Sequence, residues 1–230
     1  MLFRSLSDTV HSAFEVRNQA RDKALMQTRK VIQHAAHAIR AIHRLDVDQA
    51  DGFLNDARLL VEQLRRDLGE HLDLFYAGYT QDAFKEYVEA CVTCALIRGQ
   101  ELPLPEEIEV EPAVYLNGLA EVVGELRRRC LDVMRQGYSP EVERLLSLMD
   151  EIYALLITID YPDALTNGLR RQTDLARGIV ERTRGDVTIS LREQRLSQSM
   201  KELAVLLKTE SPSDDDFMTE IGRASCRERV

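Results

Sequence analysis

A chain of 230 residues, 44% apolar and 30% charged, is long enough for one large domain or two small ones and too apolar to stay disordered. No run of 18 apolar residues is free of charge, and eleven Gly, six Pro and no Trp leave few turn residues, so the composition excludes a transmembrane helix and a strand-rich fold. The formal net charge of −9 argues against general coating of a phosphate backbone but leaves room for a local basic face.

Residues 1–8 meet charge too early for a signal peptide, and the chain is expected to be cytoplasmic, with no membrane partner. Residues about 5–44 read as one long helix, with Val16, Ala20, Ala24, Met26, Val31, Ile32, Ala35, Ile39 and Ile42 recurring at spacings near three and four. Arg17, Arg21, Lys23, Arg29, Lys30, Arg40 and Arg44 occupy its other face. Asp46 and Asp48 offer an N-cap for a second helix, about 48–67, that ends at Gly69. A short helix at about 70–76 and a break at Gly78 follow. Thr80 is placed to cap a third long helix, about 81–98, closed by Gly99.

The stretch 102–112 holds half of the prolines and is the clearest loop. Beyond it come a helix at about 113–135 closed by Gly137, and another opened by Ser139 and Pro140 that runs to about 159. A turn at 161–163 leads to a helix at about 164–183, broken at 184–186, and a last helix at about 188–208. The expectation is a single all-α domain over residues 1–208, built from six or seven helices. Residues 209–220 read as an acidic flexible tail. Residues 221–230 turn abruptly basic and look like the in-frame translation of a sequencing adapter. Setting aside their three Arg and one Glu lowers the net charge from −9 to −11.

Three cysteines then remain, an odd number without a secretion signal, so disulfides are not expected. Cys91 and Cys94 have CxxC spacing but lie inside an apolar helical run with no second pair, and read as small buried hydrophobes. Glu86 and Glu89 lie three apart on one helix face, and Glu121 and Glu125 four apart on the next long helix. Antiparallel packing of the two helices brings all four carboxylates together. Close carboxylates repel unless a cation sits among them, and oxygen-only ligands favour Mg²⁺ or Mn²⁺ over zinc. A solvated acidic face is the alternative that spacing alone leaves open. Di-iron chemistry is excluded, because no His follows a Glu by three. The pair His34 and His37 reads as helix surface. There is no GxSxG, Gly-rich phosphate loop or GxGxxG.

Three stretches together resemble the translin family, and within it the TRAX (translin-associated factor X) branch. The basic first helix from Arg29-Lys30-Val31-Ile32 ends in the pair His43-Arg44; Glu86-Tyr87-Val88-Glu89-Ala90 is similar to the family's EYVEA segment; and residues 115–128, YLNGLAEVVGELRR, resemble its DYLLGVADLTGELMR segment. A weaker likeness covers 179–185, and the whole spans about residues 17–187. The resemblance implies a seven-helix bundle that assembles into closed, ring-like homo-oligomers, commonly octamers. It implies binding of single-stranded RNA and single-stranded DNA and, in the TRAX branch, a Mg²⁺-dependent endoribonuclease, with a second translin-type subunit left open. The metal-binding and catalytic acids fall on Glu86, Glu89, Glu121 and Glu125. The third is Asp in the animal TRAX pattern, so the arm of Glu121 is one methylene longer. Arg17, Arg21, Arg29, Lys30, Arg127 and Arg128 are candidates for holding phosphates, or for surface pairing with acids. Tyr87 and Tyr115 either stack bases or pack the helix interface. Complete acids favour the nuclease, with a non-catalytic RNA/DNA-binding scaffold as the alternative.

Overall fold

The computed structural model describes residues 2–210. The terminal decapeptide and all but the first two residues of the expected acidic tail lie outside the described residues. Among the described residues the fold is all-α, with eight helices and no strand: α1 (Leu2–His43), α2 (Val47–Asp67), α3 (Leu72–Phe75), α4 (Gly78–Arg98), α5 (Pro112–Met134), α6 (Pro140–Leu156), α7 (Asp163–Thr166) and α8 (Leu169–Glu210). None is long and apolar enough to cross a membrane.

The bundle is organised around α4. Thr80, Ala83, Phe84, Tyr87, Val88, Ala90, Val92, Thr93, Cys94, Ala95, Leu96 and Ile97 are all buried, so this helix is covered on nearly every side. α1 and α2 pack on one flank of it and α5 on the other, and α6 and α8 close over α5. Where α1 meets α2 and α4 the core sets small residues, Ala35, Ala38, Ala41, Ala50 and Ala90, among Ile39, Ile42 and Ile97, and the small residues let the helix axes approach closely. Cys91, Cys94 and Cys130 are free thiols, and burial pushes the Cys94 thiol up to about 11, so the CxxC pair is inert packing. Tyr87 and Tyr115 are buried, and the Tyr115 hydroxyl donates to the Pro103 carbonyl at 2.9 Å. Both rings therefore pack the interface rather than stand ready for bases.

Several boundaries fall elsewhere than the sequence pattern suggests. Asp46 does cap α2, accepting from the Gln49 amide at 3.2 Å, and Gly99 closes α4 at φ 69°. Thr80 is not a cap: α4 starts at Gly78, and buried Thr80 donates its Oγ1 proton to the Leu74 carbonyl at 2.8 Å, tying α3 to α4. The expected break at 184–186 is absent. α8 runs through it, because Val180, Thr183 and Val187 form one buried stripe, and Arg184 reaches Asp150 of α6 at 2.6 Å. Those contacts outweigh the roughly 1 kcal/mol that a mid-helix glycine costs at Gly185. The chain turns instead at Asn167 and Gly168, both left-handed at φ 51° and 79°. Val16 and Met26, expected in the core, are exposed: Val16 lies in the first five turns of α1, which are exposed throughout, and Met26 faces outward beside the buried Ala24, Gln27 and Thr28.

Candidate metal centre

α4 and α5 cross at Gly118. A Cβ at that position would lie 2.8 Å from the Val88 side chain and 2.9 Å from the Lys85 carbonyl oxygen, so only glycine permits this approach. The acids stand beside this crossing, Glu86 and Glu89 next in sequence to Lys85 and Val88 on α4 and Glu121 three residues beyond Gly118 on α5. Carboxylate oxygens of Glu86 and Glu89 on α4 and Glu121 on α5 all come within 4.8 Å of one another, and all three side chains are half-buried. Among the described residues this is the one group of three or more His, Cys, Asp or Glu side chains close enough to share a cation.

Glu125 completes the candidate set by position but is held differently. His43 Nε2, at the end of α1, lies 2.5 Å from its Oε2, and Arg128 Nη1 lies 3.5 Å from the same oxygen. The His43 side chain is only 4% exposed. Burial works against the Glu125 charge, but the His43 hydrogen bond and Arg128 outweigh it and hold this carboxyl below the usual range. Glu89 goes the other way. Burial, then the charges of Glu86, Glu121 and Glu125, push its carboxyl up to about 8. Glu86 is also raised, by burial foremost and against the pull of Lys85. The ammonium of Lys85 sits among the acids, 2.8 Å from Glu121 Oε1 and 3.8 Å from Glu86 Oε1, and Gln172 of α8 donates to the same Glu121 oxygen at 3.3 Å. This is an oxygen-only donor set with more negative charge than its neighbours balance. It suits a hard divalent cation.

No protein-family profile matches the sequence. An uncharacterized protein of Methanocaldococcus jannaschii is 29% identical over 195 residues, 84% of this chain and 86% of the relative. The structure of an AfC3PO–duplex RNA complex superposes with a TM-score of 0.72 at 35% identity, covering 82% of this chain and 97% of that one. The crystal structure of AfC3PO alone matches equally, covering 98% of its chain. The chain belongs to the translin family. Apo-NeC3PO, at 18% identity and a TM-score of 0.73, shares the fold.

In this translin-family chain the six candidate phosphate contacts are not equivalent. Arg127 donates to Thr183 Oγ1 at 3.0 Å and pairs with Asp186 at 2.8 Å, which ties α5 to α8 and leaves its side chain 24% exposed. Arg128 is half exposed beside Glu125. On α1, Arg17 pairs with Asp73, Arg21 lies 3.3 Å from Asp22, and Arg29 and Lys30 are exposed. His34 and His37 flank Phe53, and His34 Nδ1 lies 3.7 Å from Asp56.

The sequence reading missed four residues that shape the centre: Gly118, His43, Lys85 and Gln172. Lys85 had a local signal, since it immediately precedes Glu86 and lies four residues before Glu89 on the acidic helix face. His43 was marked only by the resemblance at His43-Arg44, with nothing to tie it to Glu125 82 residues away, and Gln172, 51 residues from Glu121, had no signal.

Proposed function

We propose that this chain is a Mg²⁺-dependent endoribonuclease of the TRAX-like kind, Mn²⁺ serving as a substitute. The observation that carries the reading is the convergence of the Glu86, Glu89 and Glu121 carboxylates within 4.8 Å of one another. Burial, and after it the charges of Glu86, Glu121 and Glu125, keep Glu89 protonated near neutrality, which fits a missing cation better than a solvated acidic face, where carboxyls stay ionised. When bound, the ion supplies a charge that stabilises a reacting phosphate and activates water. The chain's own groups do the rest. Glu86 and Glu121 hold the ion across the α4–α5 crossing. Glu89 would join them as a carboxylate, its proton passing to solvent. His43 fixes Glu125 at the edge of the site, where that carboxylate orients a ligand or the nucleophile.

RNA as the substrate class draws support from AfC3PO, whose complex contains duplex RNA. A single-stranded preference, and binding of single-stranded DNA, are inferred from the family resemblance. Arg128 is the arginine best placed to bring a phosphate to the acids, being half exposed within 3.5 Å of Glu125. We further propose that the chain works as a homo-oligomer, with octamer-like closure and room for a second translin-type subunit. Phe3, Leu6, Val10 and Phe14 on α1, and Ile189, Leu196, Met200 and Leu203 on α8, form exposed stripes at helical spacing on the parts of these helices that leave the bundle.

The second reading, a non-catalytic RNA-binding scaffold, draws on Lys85, which balances Glu121 without any metal. Labelled single-stranded and duplex RNA incubated with the purified protein, in Mg²⁺ and in chelator, separates the two. Cleavage that requires Mg²⁺ is expected. Binding without cleavage in both conditions selects the scaffold.

A further inference from the structure

We propose that Lys85 is a built-in counter-cation of the acid cluster, which competes with the divalent ion for Glu121 and so sets the metal concentration at which the site fills. The inference rests on the metal-centre reading above. Lys85 Nζ makes a 2.8 Å bond to Glu121 Oε1 and stands 3.8 Å from Glu86 Oε1, so it bridges α5 and α4 through two of the three converging acids. Its side chain is 20% exposed, unlike the solvated lysines whose ion pairs contribute little.

The backbone fixes where this ammonium can be. The Lys85 carbonyl lies at the closest point of the helix crossing, against Gly118, so the stem starts at the base of the site and the acids line its path. Gln172 approaches the same Glu121 oxygen from α8. With Lys85 and Gln172 both on that oxygen, a metal ion cannot ligate it until the ammonium withdraws. An arginine would be held by a planar fork, whereas a lysine is a point charge on a flexible four-carbon stem and can leave. The other acid neutralised from within, Glu125, is served separately by His43 and Arg128. Lys85 is thus the cation that keeps Glu86 and Glu121 together when no metal is bound, and a positive charge against whose repulsion any incoming ion must bind.

The test uses the RNA-free protein and Mn²⁺ as the probe, with affinity read from the loss of the free Mn²⁺ paramagnetic resonance signal and thermal melts run in chelator and in Mn²⁺. Lys85→Met removes the charge at similar length and Lys85→Arg retains it. Lys85→Met is expected to bind Mn²⁺ at least about tenfold more tightly than wild type. It should also melt lower than wild type in chelator and gain more on adding Mn²⁺, while Lys85→Arg, which keeps the charge on a fork that withdraws less readily, should bind Mn²⁺ no more tightly than wild type. Unchanged or weaker Mn²⁺ binding by Lys85→Met overturns the role of Lys85 while leaving the metal centre standing. A wild type that binds no Mn²⁺ overturns both. If Lys85→Met does not fold in chelator, Lys85→Gln, which keeps a donor without the charge, is read by the same criteria.

Discussion

Replacing Glu89 by Gln keeps the volume and removes a charge that the fold disfavours. The Glu89 carboxyl is pushed up to about 8 from an ordinary 4.5, foremost by burial and then by Glu86, Glu121 and Glu125. A carboxyl whose folded value lies above its unfolded value contributes its full stability below the unfolded value, loses it as pH rises, and levels off above the folded value. Between pH 4.5 and 7 the unfolded chain releases this proton and the folded chain keeps it. At about 1.4 kcal/mol per pH unit the accumulated loss at pH 7 is on the order of 3 kcal/mol. Gln is neutral in both states and escapes it. In chelator, urea denaturation should therefore find Glu89→Gln and wild type alike near pH 4, and the variant more stable by on the order of 2–3 kcal/mol at pH 7. Saturating Mg²⁺ should narrow or reverse the difference, because wild type offers the ion one carboxylate more than the variant. Parallel stability profiles for the two proteins between pH 5 and 8 would refute the argument that the folded chain holds Glu89 protonated.

Other perturbations separate scaffold from site. Gly118→Ala forces a methyl into the α4–α5 crossing and should lower stability by about 1–3 kcal/mol in urea titrations; an unchanged midpoint would mean that the helices have room to spare. Arg127→Ala breaks the tie to Thr183 and Asp186 and should lower stability by about 1–3 kcal/mol, with the salt dependence of RNA binding, read by fluorescence anisotropy, unchanged. Arg128→Ala should do the opposite, leaving stability intact and reducing the slope of log affinity against log salt by about one. Leu196→Glu with Met200→Glu places charge on the exposed stripe of α8, and light scattering should show a smaller particle than wild type; an unchanged mass would remove this stripe from the assembly.

The helical class was legible because apolar spacing near 3.6, N-cap candidates and glycine stops agree along most of the chain, as at Asp46 and Gly99. Where such signals were weak, packing decided. Gly185 carries a stop signal, yet Val180, Thr183 and Val187 are buried on one continuous stripe and the helix runs on. The acids could be nominated from spacing and family resemblance, and the α4–α5 crossing accounts for the meeting of Glu86, Glu89 and Glu121. That Glu125 would instead be gripped by His43 was not readable, because hydrogen-bond partners 82 residues apart leave no periodic trace. Nor does periodicity distinguish the glycine that allows the crossing, Gly118, from Gly124 six residues on, around which nothing lies within 4 Å of an added Cβ.

The central claim is that these acids serve RNA cleavage rather than fold or binding alone. Its most direct test compares wild type and Glu89→Gln at saturating Mg²⁺, with cleavage of a labelled RNA and binding of the same RNA measured in parallel. The account predicts equal binding and a loss of cleavage of at least about a hundredfold in the variant, on the scale of other groups that stabilise charge in a transition state. Equal cleavage rates, or no cleavage by wild type, would contradict it.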